Sequence, residues 1–179
     1  MTVGGDAEDL KWLIAREIPH LRRYACFLVG DRARADDLVQ DCLERALRKR
    51  HLWKRHGTLR SWLFRLLYRL HIDAGRSLSR RRTATDAAAD AQVSVQWPDQ
   101  EPSLQVGDVA FALRRLPEDQ QAAILLIGVE GFSYEEAARV LDIPIGTLRS
   151  RLSRGRDALR AHWSPELEES DRPALRRVK

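Results

Sequence analysis

SYEEAARVLDIPIGTLRSRLSRGRDALR, residues 133–160, holds the strongest structural signal in the chain. Ser133-Tyr134-Glu135-Glu136 has the S-x-x-E form of a capping box, in which the side chains of Ser133 and Glu136 each satisfy a backbone N–H left open at a helix start. That helix can run only to about Leu141, because Asp142-Ile143-Pro144 makes a turn, and a new helical pattern opens at Ile145 with Gly146 and Thr147. Two short helices joined this tightly form a helix-turn-helix, whose second member normally enters the major groove of DNA. On a wheel of about 100° per residue with Leu148 at 0°, Leu152, Gly155 and Leu159 share the packed edge, within about 340–40°. Ser150, Ser153 and Arg154 point outward, with Thr147 and Arg149 on the flanks. Arg149 and Arg154 are suited to bidentate donation to guanine, and Thr147 and Ser150 to shorter contacts. Ser133 and Tyr134, at the positive start of the preceding helix, are suited to a backbone phosphate. Arg151, beside the packed edge, reads as a packing or phosphate residue. A helical hairpin with a merely polar face remains the plainer alternative.

Upstream of this motif, EDQQAAILLIGVE spells a helix that stops at Gly131, with Pro117 in a first-turn position. A short apolar helix containing Val106, Val109, Ala110, Leu113 and Leu116 precedes it. Further upstream the charge changes abruptly. Residues 1–82 hold 19 Lys/Arg against 10 Asp/Glu, residues 83–113 hold five acids and no base, and residues 114–179 hold 12 bases against 11 acids. TATDAAADAQVSVQWPDQEPS lacks sustained periodicity, and Pro98 and Pro102 would interrupt a helix there. The expected organisation is all-α: two small helical domains, 1–82 and 106–179, joined by a flexible acidic linker over 83–105, the second ending in a polar tail.

In the first domain, Leu10, Leu13, Ile14, Leu21, Tyr24, Ala25 and Leu28 mark an amphipathic segment broken or bent near Pro19. A second helix is expected from about Ala33 to Leu52. With Ala35 at 0°, its buried stripe is Leu38, Val39, Cys42 and Ala46, while Asp37, Gln40, Asp41, Glu44 and Arg48 lie opposite, at about 140–240°. An acidic stripe is often only a solvated face. Inside so basic a domain it also suits docking of a basic protein surface. After a loop at His56-Gly57, Thr58 can cap a third helix. With Leu63 at 0°, Leu66, Leu67, Leu70 and Ala74 face the core, and Arg65, Arg69, Arg76 and Arg80 share another face at about 200–260°. That row, extended by Arg81 and Arg82 and accompanied by Trp53, Trp62 and Tyr68, suits phosphate contact with aromatic stacking on bases.

Composition bounds the function. The 179 residues carry a formal charge of +5, mostly through arginine, which favours a partner with phosphate or guanine acceptors. No apolar run approaches the ~20 residues of a membrane crossing, and the start lacks the layout of a signal peptide, so a cytoplasmic protein without membrane insertion is expected. Cys26 and Cys42 form neither a CxxC pair nor a set with His20, His51, His56, His71 or His162. No metal, cofactor, small-molecule substrate or catalytic residue is expected, and an enzyme acting on nucleic acid would lack its reactive groups.

LPEDQQAAILLIGVEGFSYEEAARVLDIPIGTLRSRLSRGRDALR, residues 116–160, resembles the C-terminal promoter-reading domain of extracytoplasmic-function bacterial sigma factors. Residues 33–82, ARADDLVQDCLERALRKRHLWKRHGTLRSWLFRLLYRLHIDAGRSLSRRR, are similar to the N-terminal domain of that family. IGVEGFSYEEAA is close to the general-stress members of alphaproteobacteria, with related subgroups sharing most of it. The resemblance implies a dissociable subunit that binds core RNA polymerase and directs it to promoter DNA. It makes Asp37, Gln40, Asp41 and Glu44 the contact with the polymerase clamp. His56, Gly57 and Thr58, with Arg60, Arg65 and Arg69, become the part that melts and reads the minus-ten element, and the helix-turn-helix reads the minus-thirty-five element. Position 69 is often Asn in the family and is Arg here, which bears on base choice; Gly155 replaces a usual Ala, at about 1 kcal/mol of helix propensity unless a neighbouring backbone comes close. An anti-sigma factor is the further partner the resemblance implies. A free-standing helix-turn-helix regulator, without a polymerase partner, is the competing reading.

Overall fold

The computed structural model describes residues 5–49, 53, 58–82 and 104–163. Among these the chain is helical, and it forms the two modules expected. The first holds α1 (Gly5–Val29), α2 (Arg32–Arg48) and α3 (Leu59–Arg82). The second holds α4 (Leu104–Arg114), α5 (Glu118–Ile124) running into a π-helical turn at Leu125–Val129, α6 (Tyr134–Leu141) and α7 (Ile145–Trp163). Most of the expected linker, residues 83–103 with Pro98 and Pro102, lies outside the described residues. So do His51, His56, Gly57, the side chains of Arg80, Arg81 and Arg82, and the tail from 164.

Of the break or bend expected near Pro19, the break does not occur: α1 is one continuous helix through it. Proline in a helix interior removes a hydrogen bond and costs about 3 kcal/mol. Here Ile14 before it and Leu21, Tyr24 and Ala25 after it are all buried, so core packing on both sides keeps the helix continuous. Asp31 caps α2, its carboxylate accepting from the Arg34 N–H at 2.7 Å. The buried residues of α2 are Ala35, Val39, Cys42 and Ala46, as its wheel requires, with Leu38 at the rim. Thr58 caps α3, its hydroxyl oxygen accepting from the Ser61 N–H at 3.2 Å.

α3 departs from its wheel in an informative way. Leu63, Leu67 and Leu70 are buried, but so are Phe64 and Tyr68, roughly 100–140° further round, while Ala74 is exposed. One face therefore packs on α1 and α2 and the other on α6 of the second module. Between the modules Phe132 meets Phe64 edge-on at 4.9 Å between ring centroids, and Phe64 lies 5.3 Å from Tyr24. The apolar cores of the two modules are continuous across this contact.

The end of α5 aims the residues that follow. In the π-helical turn the Glu130 N–H donates to the Leu125 carbonyl, and the Phe132 N–H donates to that of Leu126. The wider turn changes which side Glu130 and Phe132 present, and Gly131, at φ +68°, reverses the chain between them. Both halves of the capping box form: the Glu136 N–H donates to Ser133 Oγ at 3.2 Å, and the Ser133 N–H to Glu136 Oε2 at 3.1 Å. α6 ends at Asp142 in the left-handed region, φ +57°, and α7 starts three residues later. Leu148, Leu152 and Gly155 of α7 are buried. The reason for glycine at 155 is a side chain rather than a backbone: a Cβ there would lie 2.6 Å from Ile124 Cδ1.

Candidate nucleic-acid interface

α7 leaves part of its polar face open to solvent. Arg149, Ser153 and Arg154 are exposed, and Thr147 and Ser150 are half-buried. The Ser150 hydroxyl donates to the Thr147 carbonyl at 2.8 Å, so reaching a base would require it to leave that bond. Tyr134, at the first turn of α6, lines a cleft of about 250 Å³ with Arg149, Leu152, Ser153, Arg156, Asp157 and Arg160. Ser133 is exposed beside it with its oxygen engaged in the cap. Arg156 and Arg160 add cations that the wheel argument left unnamed. Their spacing from Arg149 and Ser153, at seven residues each along the helix, was the available signal. Arg151 pairs with Asp119 of α5 at 3.1 Å and so braces the module.

The acidic face of α2 is open as well. Asp37, Gln40, Asp41 and Glu44 are all exposed, and Glu44 meets Arg48 only through an exposed pair at 3.5 Å, a geometry that contributes little. Asp37 and Asp41 border a groove floored by Val29 and Leu38 and closed by His71, Ala74 and Gly75.

The arginine row on α3 is arranged differently. Arg60 donates to the Glu130 carboxylate at 2.9 Å and to the Glu130 backbone carbonyl at 2.8 Å. Its guanidinium also stacks over Phe132, 5.0 Å from the ring centroid. Arg65 and Arg69 each donate to one oxygen of Asp142, at 2.8 and 2.9 Å. These bonds hold the Asp142 carboxyl below its usual range, the Arg69 hydrogen bond most and the Arg65 charge next. Arg76, further along, is exposed. The Glu130 side chain is 0% exposed and also receives Arg23 Nε at 2.9 Å, with His20 Nδ1 at 3.1 Å. Glu130 was not singled out from the sequence. A lone acid closing an apolar run was the one sign it gave.

Burial raises the Cys42 thiol to about 12 and raises that of Cys26 as well, which makes both poor nucleophiles. Among the described residues no group of three or more His, Cys, Asp or Glu side chains is placed to hold a metal, and no helix is long and apolar enough to cross a membrane.

A family profile described as the sigma2 domain of PhyR matches residues 14–68, and one described as sigma-70, region 4, matches residues 107–159. The chain is 39% identical to the ECF RNA polymerase sigma factor EcfG of Rhodopseudomonas palustris, over 86% of this chain and 84% of that protein. It is 31% identical to the ECF RNA polymerase sigma factor SigE of Mycolicibacterium smegmatis, over 96% of this chain and 68% of that one. Among solved structures it is similar to the sigma factor RpoE, in complex with the anti-sigma factor NepR, from Bartonella quintana, at 36% identity and a TM-score of 0.78 over 92% of this chain and 99% of that chain. These similarities span both modules in the same order, which a free-standing helix-turn-helix regulator would not require. The chain therefore belongs to the extracytoplasmic-function RNA polymerase sigma factors, on the side of the alphaproteobacterial general-stress members, and acts as the subunit that directs the polymerase to its promoters.

Proposed function

We propose that this sigma factor divides its surface among three macromolecular contacts. The α2 face of Asp37, Gln40, Asp41 and Glu44 docks on the basic clamp of core RNA polymerase. The α3 residues Arg60, Arg65, Arg69 and Arg76, with the loop His56-Gly57-Thr58, bind and separate the minus-ten element. Thr147, Arg149, Ser150, Ser153 and Arg154, with Ser133 and Tyr134 at the start of α6, engage the minus-thirty-five element. Strand separation then draws on binding free energy within the holoenzyme, with no chemistry performed by the sigma subunit. The protein works in the cytoplasm.

The observation that carries this division is the simultaneous exposure of the acidic α2 face and the arginine-bearing α7 face, two surfaces of opposite sign in one small chain. An anti-sigma partner is supported by the solved relative, a sigma factor in complex with NepR. Transcription in vitro with core enzyme on a promoter library tests the whole. Wild-type protein should select a two-element promoter class, and the double reversal Asp37→Lys with Glu44→Lys should abolish core binding. Unchanged binding would remove α2 from the polymerase contact.

A further inference from the structure

α1 carries an exposed tryptophan that neither the core nor the contacts proposed above use. Leu10, Ile14, Leu21 and Tyr24 belong to the buried stripe of this helix, and at about 100° per residue Trp12 falls roughly 160° away from both Leu10 and Ile14. Trp12 is 61% exposed, and the Arg16 guanidinium lies over its ring, 4.9 Å from the centroid. A single apolar residue on a surface needs no explanation. A ring steadied by a cation is a different object, because part of the ordering cost of binding is met before any ligand arrives.

The position of this pair points to its partner. Trp12, Arg16 and Arg23 lie within about 40° of one another around α1. Arg23 and Arg60 both donate to the Glu130 carboxylate, so this stripe of α1 and the first turn of α3 lie on the same side of the module. Glu17 meets Arg60 at 3.5 Å, while Val29, at the other end of α1, borders the same groove as His71, Ala74 and Gly75 of α3. The two helices therefore run in the same direction, and the part of α1 before Glu17 extends past the start of α3. Trp12 stands five residues, or about 7.5 Å of helix rise, beyond the level of Glu17. That is the end of the module at which Thr58 caps α3 and Arg60 is assigned to the minus-ten element.

We propose that Trp12 and Arg16 form a stacking platform for an unpaired base beside the minus-ten element, with Arg16 on one face of the indole and the base on the other. Every base has a π-face, so such a contact tolerates any sequence, whereas paired DNA keeps its bases stacked on one another. The Arg16 charge also suits the phosphate next to that base. The platform acts after strand separation: it holds the melted strand and does not choose the promoter.

The proposal rests on the sigma-factor reading, and its test separates the two. Holoenzyme reconstituted from core polymerase and the full chain is measured by competition binding on two promoter DNAs. One is paired throughout, at a temperature too low for melting, and the other has mismatched, unpaired strands from the minus-ten element to the start site. Trp12→Ala should weaken binding to the unpaired DNA roughly 5- to 100-fold, as expected for one lost base stack, and leave affinity for paired DNA and for core unchanged. Trp12→Phe, which keeps a ring, should restore most of the loss. Abasic sites placed one at a time along the unpaired strands should find one position where wild type loses affinity and Trp12→Ala loses no more. Equal affinity of wild type and Trp12→Ala for the unpaired DNA overturns the platform. So does a loss shared with paired DNA or with core binding, which would make Trp12 a protein contact or a support of the fold. Wild-type holoenzyme that selects no promoter overturns the sigma-factor reading instead.

Discussion

α3 and α7 are both amphipathic helices with arginines on one side, yet the two rows meet opposite surroundings. Arg149 and Arg154 of α7 stand exposed, whereas Arg60, Arg65 and Arg69 of α3 are bonded to carboxylates of the other module. Arginine content alone cannot separate the two cases. The difference lies in the neighbours: α3 carries Phe64 and Tyr68 beside its arginines, and these draw a second packing partner over that side. The sector of α7 around Ser153 and Arg154 carries no aromatic, so nothing apolar draws a cover onto it. An arginine row without flanking aromatics stays open to solvent, while one flanked by buried aromatics is covered by the element they pack against.

The largest expected effect comes from removing the apolar part of the α3 cover. Phe132→Ala should destabilise the folded chain by about 3–5 kcal/mol, the usual range for a buried phenylalanine, read by denaturant unfolding. If only the contact between modules is lost, the loss will be smaller and a second transition will appear. Next, Arg149→Ala and Arg154→Ala should each remove about 1–3 kcal/mol of discrimination at one base of the upstream element, with unfolding midpoints unchanged. Equal loss on every sequence, measured by competition binding, would make them phosphate clamps. Gly155→Ala tests how α7 is held. Its Cβ must displace the terminal methyl of Ile124, and the overpacking of about 1–3 kcal/mol offsets the ~1 kcal/mol gained in helix propensity. Combining it with Ile124→Val, which lacks that terminal methyl, should recover most of the loss in a thermal melt.

The smallest effect is a pH dependence of the packing between the two modules. Asp142 has a carboxyl lowered by the Arg69 hydrogen bond and the Arg65 charge, so its contribution is complete above the ordinary carboxylate value. It fades as pH falls through the lowered one. Scattering at moderate salt should therefore show the Asp142 contribution to the packing of the two modules present near neutrality and lost in acid. Asp142→Asn should remove that component of the acid response.

Much of the fold was legible because short-range rules governed it. The capping box at Ser133 and Glu136, the turn at Asp142 and the buried stripe of Ala35, Val39, Cys42 and Ala46 need no distant partner to be recognised. Of the break or bend expected at Pro19, the break does not occur, for the opposite reason: a local cost is outweighed by packing that Leu21 and Tyr24 make with other helices. Gly155 looked like a helix weakness until Ile124, 31 positions away, was seen to fill the space a methyl would need.

By itself the sequence determined two helical modules, a helix-turn-helix with outward arginines, and an acidic stripe kept within a basic domain. All of these follow from periodicity, capping and charge along the chain. Only the tertiary structure decided that the α3 arginines face Glu130 and Asp142. That pairing joins residues 70 or more positions apart, through a π-helical turn and a left-handed residue that aim two carboxylates at the first module.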